Sequence, residues 1–119
     1  MKETKMKDLL SDVRNAVASE YDRAATKFGA THNSRHEAYA ILREEFEETE
    51  DSIKQLSDGI TLFWERLKGD CPTEEYLEML QDMKYQAEHA AGEFIQVAAM
   101  AHKAMLTEMA DKREGLVEK

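Results

Sequence analysis

Residues 34–68 read SRHEAYAILREEFEETEDSIKQLSDGITLFWERLK, and the spacing within this run decides the fold. Ala38, Leu42, Phe46, Thr49, Ile53, Leu56, Ile60, Phe63 and Leu67 recur at steps of three and four, the period of one helix face. Ser34, with Asn33 before it and Glu37 three residues on, has the pattern of a capping box, so a second helix is predicted to start there. Gly59 lies inside the stripe as a candidate kink. Working outward, Leu10, Val13, Val17, Tyr21, Ala24 and Phe28 give a first helix from about Lys5 to Phe28, stopped by Gly29. On the other side, Pro72 suits a first helical position, with Glu74 and Glu75 complementing the helix dipole. Leu77, Leu80, Met83, Ala87, Ala90, Phe94, Val97, Ala101, Met105 and Met109 continue the third stripe. The ends, residues 1–4 and 115–119, are expected to fray. No stretch alternates as a strand would, so the fold class is all-α.

Length adds a constraint. Thirty-five residues from Ser34 to Lys68 make roughly 52 Å of straight helix. A compact monomer of this size is only about 35 Å across. The reading is one domain over 1–119: three long helices in a bundle completed by self-association. The alanines at 87, 90, 91, 98, 99 and 101 permit close helix approach.

Composition excludes several classes. The 25 acids against 16 Lys and Arg leave a net charge of −9, which argues against a nucleic-acid polymer as partner. One cysteine, Cys71, allows neither an internal disulfide framework nor a Cys-based zinc site. No apolar run approaches 18 residues, so no membrane span is expected. The basic N-terminal residues precede no apolar stretch, so no signal peptide is expected and a cytoplasmic location follows. No Gly-rich phosphate loop exists.

Chemistry concentrates in Arg43-Glu44-Glu45-Phe46-Glu47-Glu48-Thr49-Glu50-Asp51. A solvated face is the usual reading of such a run. Geometry singles out three of its acids. Glu44, Glu45 and Glu48 share an arc of about 100°, and Glu45 stands about 60° from Leu42 on the apolar stripe. Three carboxylates held at a core boundary repel one another, and a divalent cation reverses that cost. Glu47, Glu50 and Asp51 point outward. On the third helix His89, Glu93 and Gln96 lie within about 60° of one another. Carboxylates on facing helices are a known way to build a metal site in a bundle.

The spacing Glu44-Glu45-x-x-Glu48 followed by Glu93-x-x-Gln96 resembles the MazG-like branch of the all-α nucleoside triphosphate pyrophosphohydrolases, whose pattern is EExxE and then ExxD. The strings His32-Asn33-Ser34-Arg35-His36-Glu37-Ala38-Tyr39-Ala40 and Glu93-Phe94-Ile95-Gln96-Val97-Ala98-Ala99-Met100-Ala101 are similar to small phage and prophage proteins of this type. The resemblance covers Thr31 to Leu106. It implies a homodimer or homotetramer with sites in four-helix bundles. It implies hydrolysis of a ribo- or deoxyribonucleoside triphosphate to monophosphate and pyrophosphate. Carried over by position, Glu44, Glu45, Glu48 and Glu93, with Gln96, would hold Mg²⁺ (or Mn²⁺), and a glutamate of the first motif would serve as general base. Gln96 departs from the pattern, because an amide stands where the family has Asp. That departure keeps a second reading open: a catalytically silent bundle of the same fold that binds a nucleotide or a protein.

Other residues carry less. Cys71 has no partner for a nucleophile's dyad. His32 and His36 bracket a helix start and are not read as ligands. Trp64, Phe63, Tyr39 and Tyr85 suit stacking on a base but are read first as packing. The seven methionines are read as adaptable fillers.

Overall fold

A computed structural model describes residues 2–117, and side chains within 5–112. It consists of three helices: α1 (Lys2–Phe28), α2 (Arg35–Leu67) and α3 (Thr73–Val117). Among the described residues there is no strand. Residues 1, 118 and 119, where part of the expected fraying falls, lie outside them; the backbone at 2–4 and 115–117 is helical.

The helix boundaries follow local chemistry. Gly29 ends α1 at φ 97°, a conformation open to glycine, and its N–H donates to Ala25 O at 2.9 Å. Ser34 caps α2: its Oγ accepts the Glu37 N–H at 3.1 Å, and its carbonyl accepts the first helical bond from Ala38. The Glu37 carboxylate reaches back to the Asn33 N–H and Nδ2. The predicted capping box is therefore present, with its return bond one residue earlier than the usual pattern. Pro72 stands one residue outside α3, where its carbonyl accepts from Tyr76 N at 3.0 Å and its missing N–H costs nothing. α2 runs unbroken through Gly59, which lies against Met83; a Cβ there would meet Met83 Cγ at 3.8 Å. Removing the α2 cap with Ser34→Ala is expected to cost about 1 kcal/mol, read as a lower urea midpoint at unchanged slope.

The chain groups into two compact units. One comprises Met1–Glu45 with Ile95–Lys119, the other Phe46–Phe94. In the first unit the turn after α1 is fastened to α3. The His32 N–H donates to Thr107 Oγ1 at 2.8 Å, and Arg35 pairs with Glu108. Tyr21 donates to Ala30 O at 2.9 Å and meets the His102 ring edge-on at 4.9 Å. Ala24, Ala38 and Ala99 are the buried apolar residues here.

The second unit is an αα-hairpin. Ser52 meets His89 and Glu93, Gly59 lies against Met83, Phe63 meets Tyr76, and Arg66 forks onto Glu75. Only small residues are fully enclosed along this line: Thr49, Ser52 and Ala90. The large apolar residues of the predicted stripes are not. Phe46, Ile53, Ile60 and Leu67 of α2 and Leu80 and Phe94 of α3 are exposed, Ile60 by 51%. The apolar stripes of α2 and α3 are therefore only partly covered within one chain. The two helices approach through small side chains, which leaves the bulky ones on a flank.

That flank has its own order. Phe46, Ile53, Ile60 and Leu67 are seven residues apart, as are Leu80, Ala87 and Phe94. Each row stands roughly 100° around its helix from the line of contact. The rotation has the same sense along both sequences, and the helices are antiparallel, so both rows emerge on one side of the hairpin. A seven-residue repeat is the spacing of a helix-packing seam.

Candidate functional site

In the first unit three helices line an open cavity of 570 Å³. Each contributes residues at helical spacing, so one face of each helix lines it. α1 supplies Glu20, Arg23, Ala24 and Phe28; α2 supplies Glu37, Ile41, Glu44 and Glu45; α3 supplies Gln96, Met100 and Lys103. Small-molecule sites generally enclose about 300–1,000 Å³, so this one has the size for a nucleotide.

The walls divide by chemistry. Phe28, Ile41 and Met100 are apolar, while the remaining lining, apart from Ala24, is charged or amide. Arg23 forks onto Glu20 through Nε and an Nη. That hydrogen bond is the main cause holding the Glu20 carboxyl below its ordinary value; burial opposes it, and the charge of Arg23 and the nearby Gln96 amide add to it. Glu37 stands at the far end of its capping bonds, with Oε1 3.8 Å from Nδ1 of buried His32. Lys103 is 5% exposed. Its carbonyl accepts from the Thr107 hydroxyl at 2.8 Å, and among the described residues no carboxylate forms an ion pair with its ammonium.

Three of the five residues singled out in the sequence therefore meet at this cavity: Glu44, Glu45 and Gln96. The other two, Glu48 and Glu93, belong to the second unit. Glu48 is exposed. Glu93 is largely buried; its Oε1 accepts the Ser52 hydroxyl and lies 3.0 Å from His89 Nδ1. Ser52 Oγ is also 3.2 Å from that same nitrogen. A nucleophilic relay needs serine and carboxylate on opposite ring nitrogens, so this cluster is not one. It anchors Glu93.

Among the described residues no three His, Cys, Asp or Glu side chains converge as a metal-holding group. An all-protein cage of Glu44, Glu45, Glu48 and Glu93 is thus not formed within the described chain. Mg²⁺ seldom uses such a cage; it is usually held by one or two carboxylates with substrate phosphates and water completing its shell. Glu44 and Glu45 at the cavity fit that lesser requirement.

Sequence reasoning missed Glu20, Arg23, Glu37, Lys103 and Ser52. Lys103 was within reach, because it stands seven residues after Gln96 and shares its face. Ser52 gave no such signal, since a small polar residue on a helix marks a contact line only once the partner helix is known.

Comparison with family models, with curated proteins and with solved structures gives no match. Among the described residues no helix is long and apolar enough to cross a membrane.

Proposed function

We propose that this chain is a nucleotide pyrophosphohydrolase that takes a magnesium-bound nucleoside triphosphate into the cavity of its first unit. The supporting observation is that Glu44, Glu45 and Gln96, which carry the MazG-like resemblance, line one cavity together. The reaction is attack of water at the α-phosphate, breaking the bond to the β-phosphate and releasing monophosphate and pyrophosphate. Bound Mg²⁺ supplies charge neutralisation at the phosphates and a lowered pKa for water. Glu44 is exposed and suits holding the incoming cation. Glu45 is half-buried at the same cavity and suits accepting the proton from water. Phe28, Ile41 and Met100 offer the base an apolar wall.

The partner on this reading is a second copy. The seam of the αα-hairpin is apolar along both helices, and a two-helix hairpin that encloses only Thr49, Ser52 and Ala90 lacks a core of its own. A copy related by two-fold symmetry presents the same seam and completes four helices.

The test is product analysis over ribo- and deoxyribonucleoside triphosphates with Mg²⁺, with Mn²⁺ and with chelator. Metal-dependent monophosphate and pyrophosphate are expected, with a loss of at least a hundredfold in Glu44→Gln and an unchanged circular dichroism spectrum. A second reading, binding without cleavage, is favoured by two observations: Gln96 contributes no charge, and one oxygen of Glu93 is bonded to Ser52. Saturable nucleotide binding with no product from any substrate would establish that reading instead.

A further inference from the structure

We propose that Lys103 is a polyphosphate-binding residue, and that its ammonium engages the phosphates of a magnesium–polyphosphate ligand in the first unit's cavity. The inference rests on the cavity being a ligand site. It does not require that the ligand be cleaved.

Lys103 is 95% buried by the measure of its 5% exposure, lines the cavity, and has no acid within 4.0 Å of its ammonium among the described residues. The stem is enclosed by protein while the ammonium reaches the open cavity, so a lysine here presents its charge to whatever the cavity holds. A position needing only packing is better served by methionine, which has nearly the same length. The other cation at the cavity, Arg23, is already spanned by the Glu20 carboxylate. Lys103 is therefore the lining cation with no carboxylate bound to it, and its three N–H groups match phosphate oxygens.

The charge of the walls sets the form of the ligand. Four carboxylates, Glu20, Glu37, Glu44 and Glu45, face two cations, Arg23 and Lys103, an excess of two negative charges. A bare anion is repelled by that excess. A polyphosphate carrying a divalent cation is not, because its metal faces the carboxylates while its free oxygens face Lys103.

The experiment is calorimetric titration of inorganic pyrophosphate, and separately of a nucleoside triphosphate, into the full chain with Mg²⁺ and with chelator. Wild type, Lys103→Met and Lys103→Gln are compared, with thermal unfolding of each. The expected result is Mg²⁺-dependent pyrophosphate binding by wild type, at least tenfold weaker in both variants, with Lys103→Met melting higher than wild type. Loss of binding with gain of stability separates a ligand-holding lysine from a structural one. Equal binding by the variants, absence of magnesium pyrophosphate binding by wild type, or a lower melting temperature in both variants would each overturn the proposal. Pyrophosphate binding without turnover of any triphosphate would leave it standing and remove only the hydrolysis reading. Triphosphate binding without pyrophosphate binding would place recognition on the nucleoside and overturn it.

Discussion

Ile53→Lys combined with Ile60→Lys is expected to turn an associated chain into a monomer. Light scattering after gel filtration should fall from at least twice 13.7 kDa to 13.7 kDa. The two isoleucines are the middle rungs of the α2 row, and Ile53 is 43% and Ile60 51% exposed in the single chain. A two-fold interface contains four of them. Each is about half exposed before association, so at about 2 kcal/mol for full burial the four together contribute about 4 kcal/mol, nearly a thousandfold in the association constant. The choice of lysine matters. The chain carries a net charge of −9, so the two added cations lower its overall charge, while at the seam itself four ammonium groups resist burial. Lysine is also a good helix former, so α2 itself is not weakened. Leu62→Lys is the control. Leu62 is also exposed, but it stands on the opposite flank of the hairpin, and its replacement is expected to leave the mass unchanged. For wild type, raising the salt concentration should tighten association, because screening removes repulsion while leaving the apolar seam intact. A wild-type chain that runs as a monomer at all concentrations would refute the self-association reading.

The same rows show where the sequence could be read and where it could not. Helix existence was legible because every stripe kept its period and every break had a chemical marker: Gly29, Ser34 with Glu37, and Pro72. The burial of those stripes was not. A period of three and four says that one face is apolar, and it does not say which of two adjacent faces meets a helix of the same chain. The contact line of α2 passes through Thr49, Ser52, Gly59 and Phe63, where small side chains allow close approach. Ile53 and Ile60 sit one flank away. Composition could not distinguish these flanks, because threonine and serine on a helix read as solvent-facing until they are seen against His89 and Glu93.

The candidate site was legible in the same partial way. Wheel geometry put Glu44 and Glu45 near the core boundary, and both line the cavity. It also grouped Glu48 with them, an arc that holds on an isolated helix but carries no information about which acids face a neighbour. Glu93 and Gln96 were grouped by their spacing, yet Glu93 is bonded to Ser52 in the second unit and Gln96 lines the cavity of the first. The two stand about 60° apart around α3 and nearly a turn apart along it, and different elements pack against α3 at those two levels. Two of the partners that give the cavity its electrostatics, Glu20 and Arg23, come from α1, which was read only for its apolar stripe.

Gln96→Asp is the substitution expected to raise activity. It restores the charge that the MazG-like pattern places at this position. In the cavity Gln96 is not idle: its amide is among the groups that hold the Glu20 carboxyl below its ordinary value, after the hydrogen bond from Arg23. Aspartate removes that donor and sets a second carboxylate beside Glu20. Without metal the variant is therefore expected to melt below wild type, because two carboxylates side by side repel one another. The sign of its pH dependence follows. The Glu20 carboxyl is depressed in the folded chain, so its contribution to stability is present above its unfolded value and is lost as pH falls through the folded one. In Gln96→Asp part of that depression is gone, so the acid side of the stability profile should flatten. Mg²⁺ reverses the penalty, since a ligand that binds only the folded state adds stability in proportion to the logarithm of its concentration over its dissociation constant. The expected signature is a melting temperature below wild type in chelator and a larger Mg²⁺-induced rise than wild type shows. Pyrophosphate release should increase at least tenfold, in step with metal affinity. A variant that loses stability in chelator and regains none in Mg²⁺ would show that this corner of the cavity does not meet a cation, and that Gln96 serves only to hold Glu20.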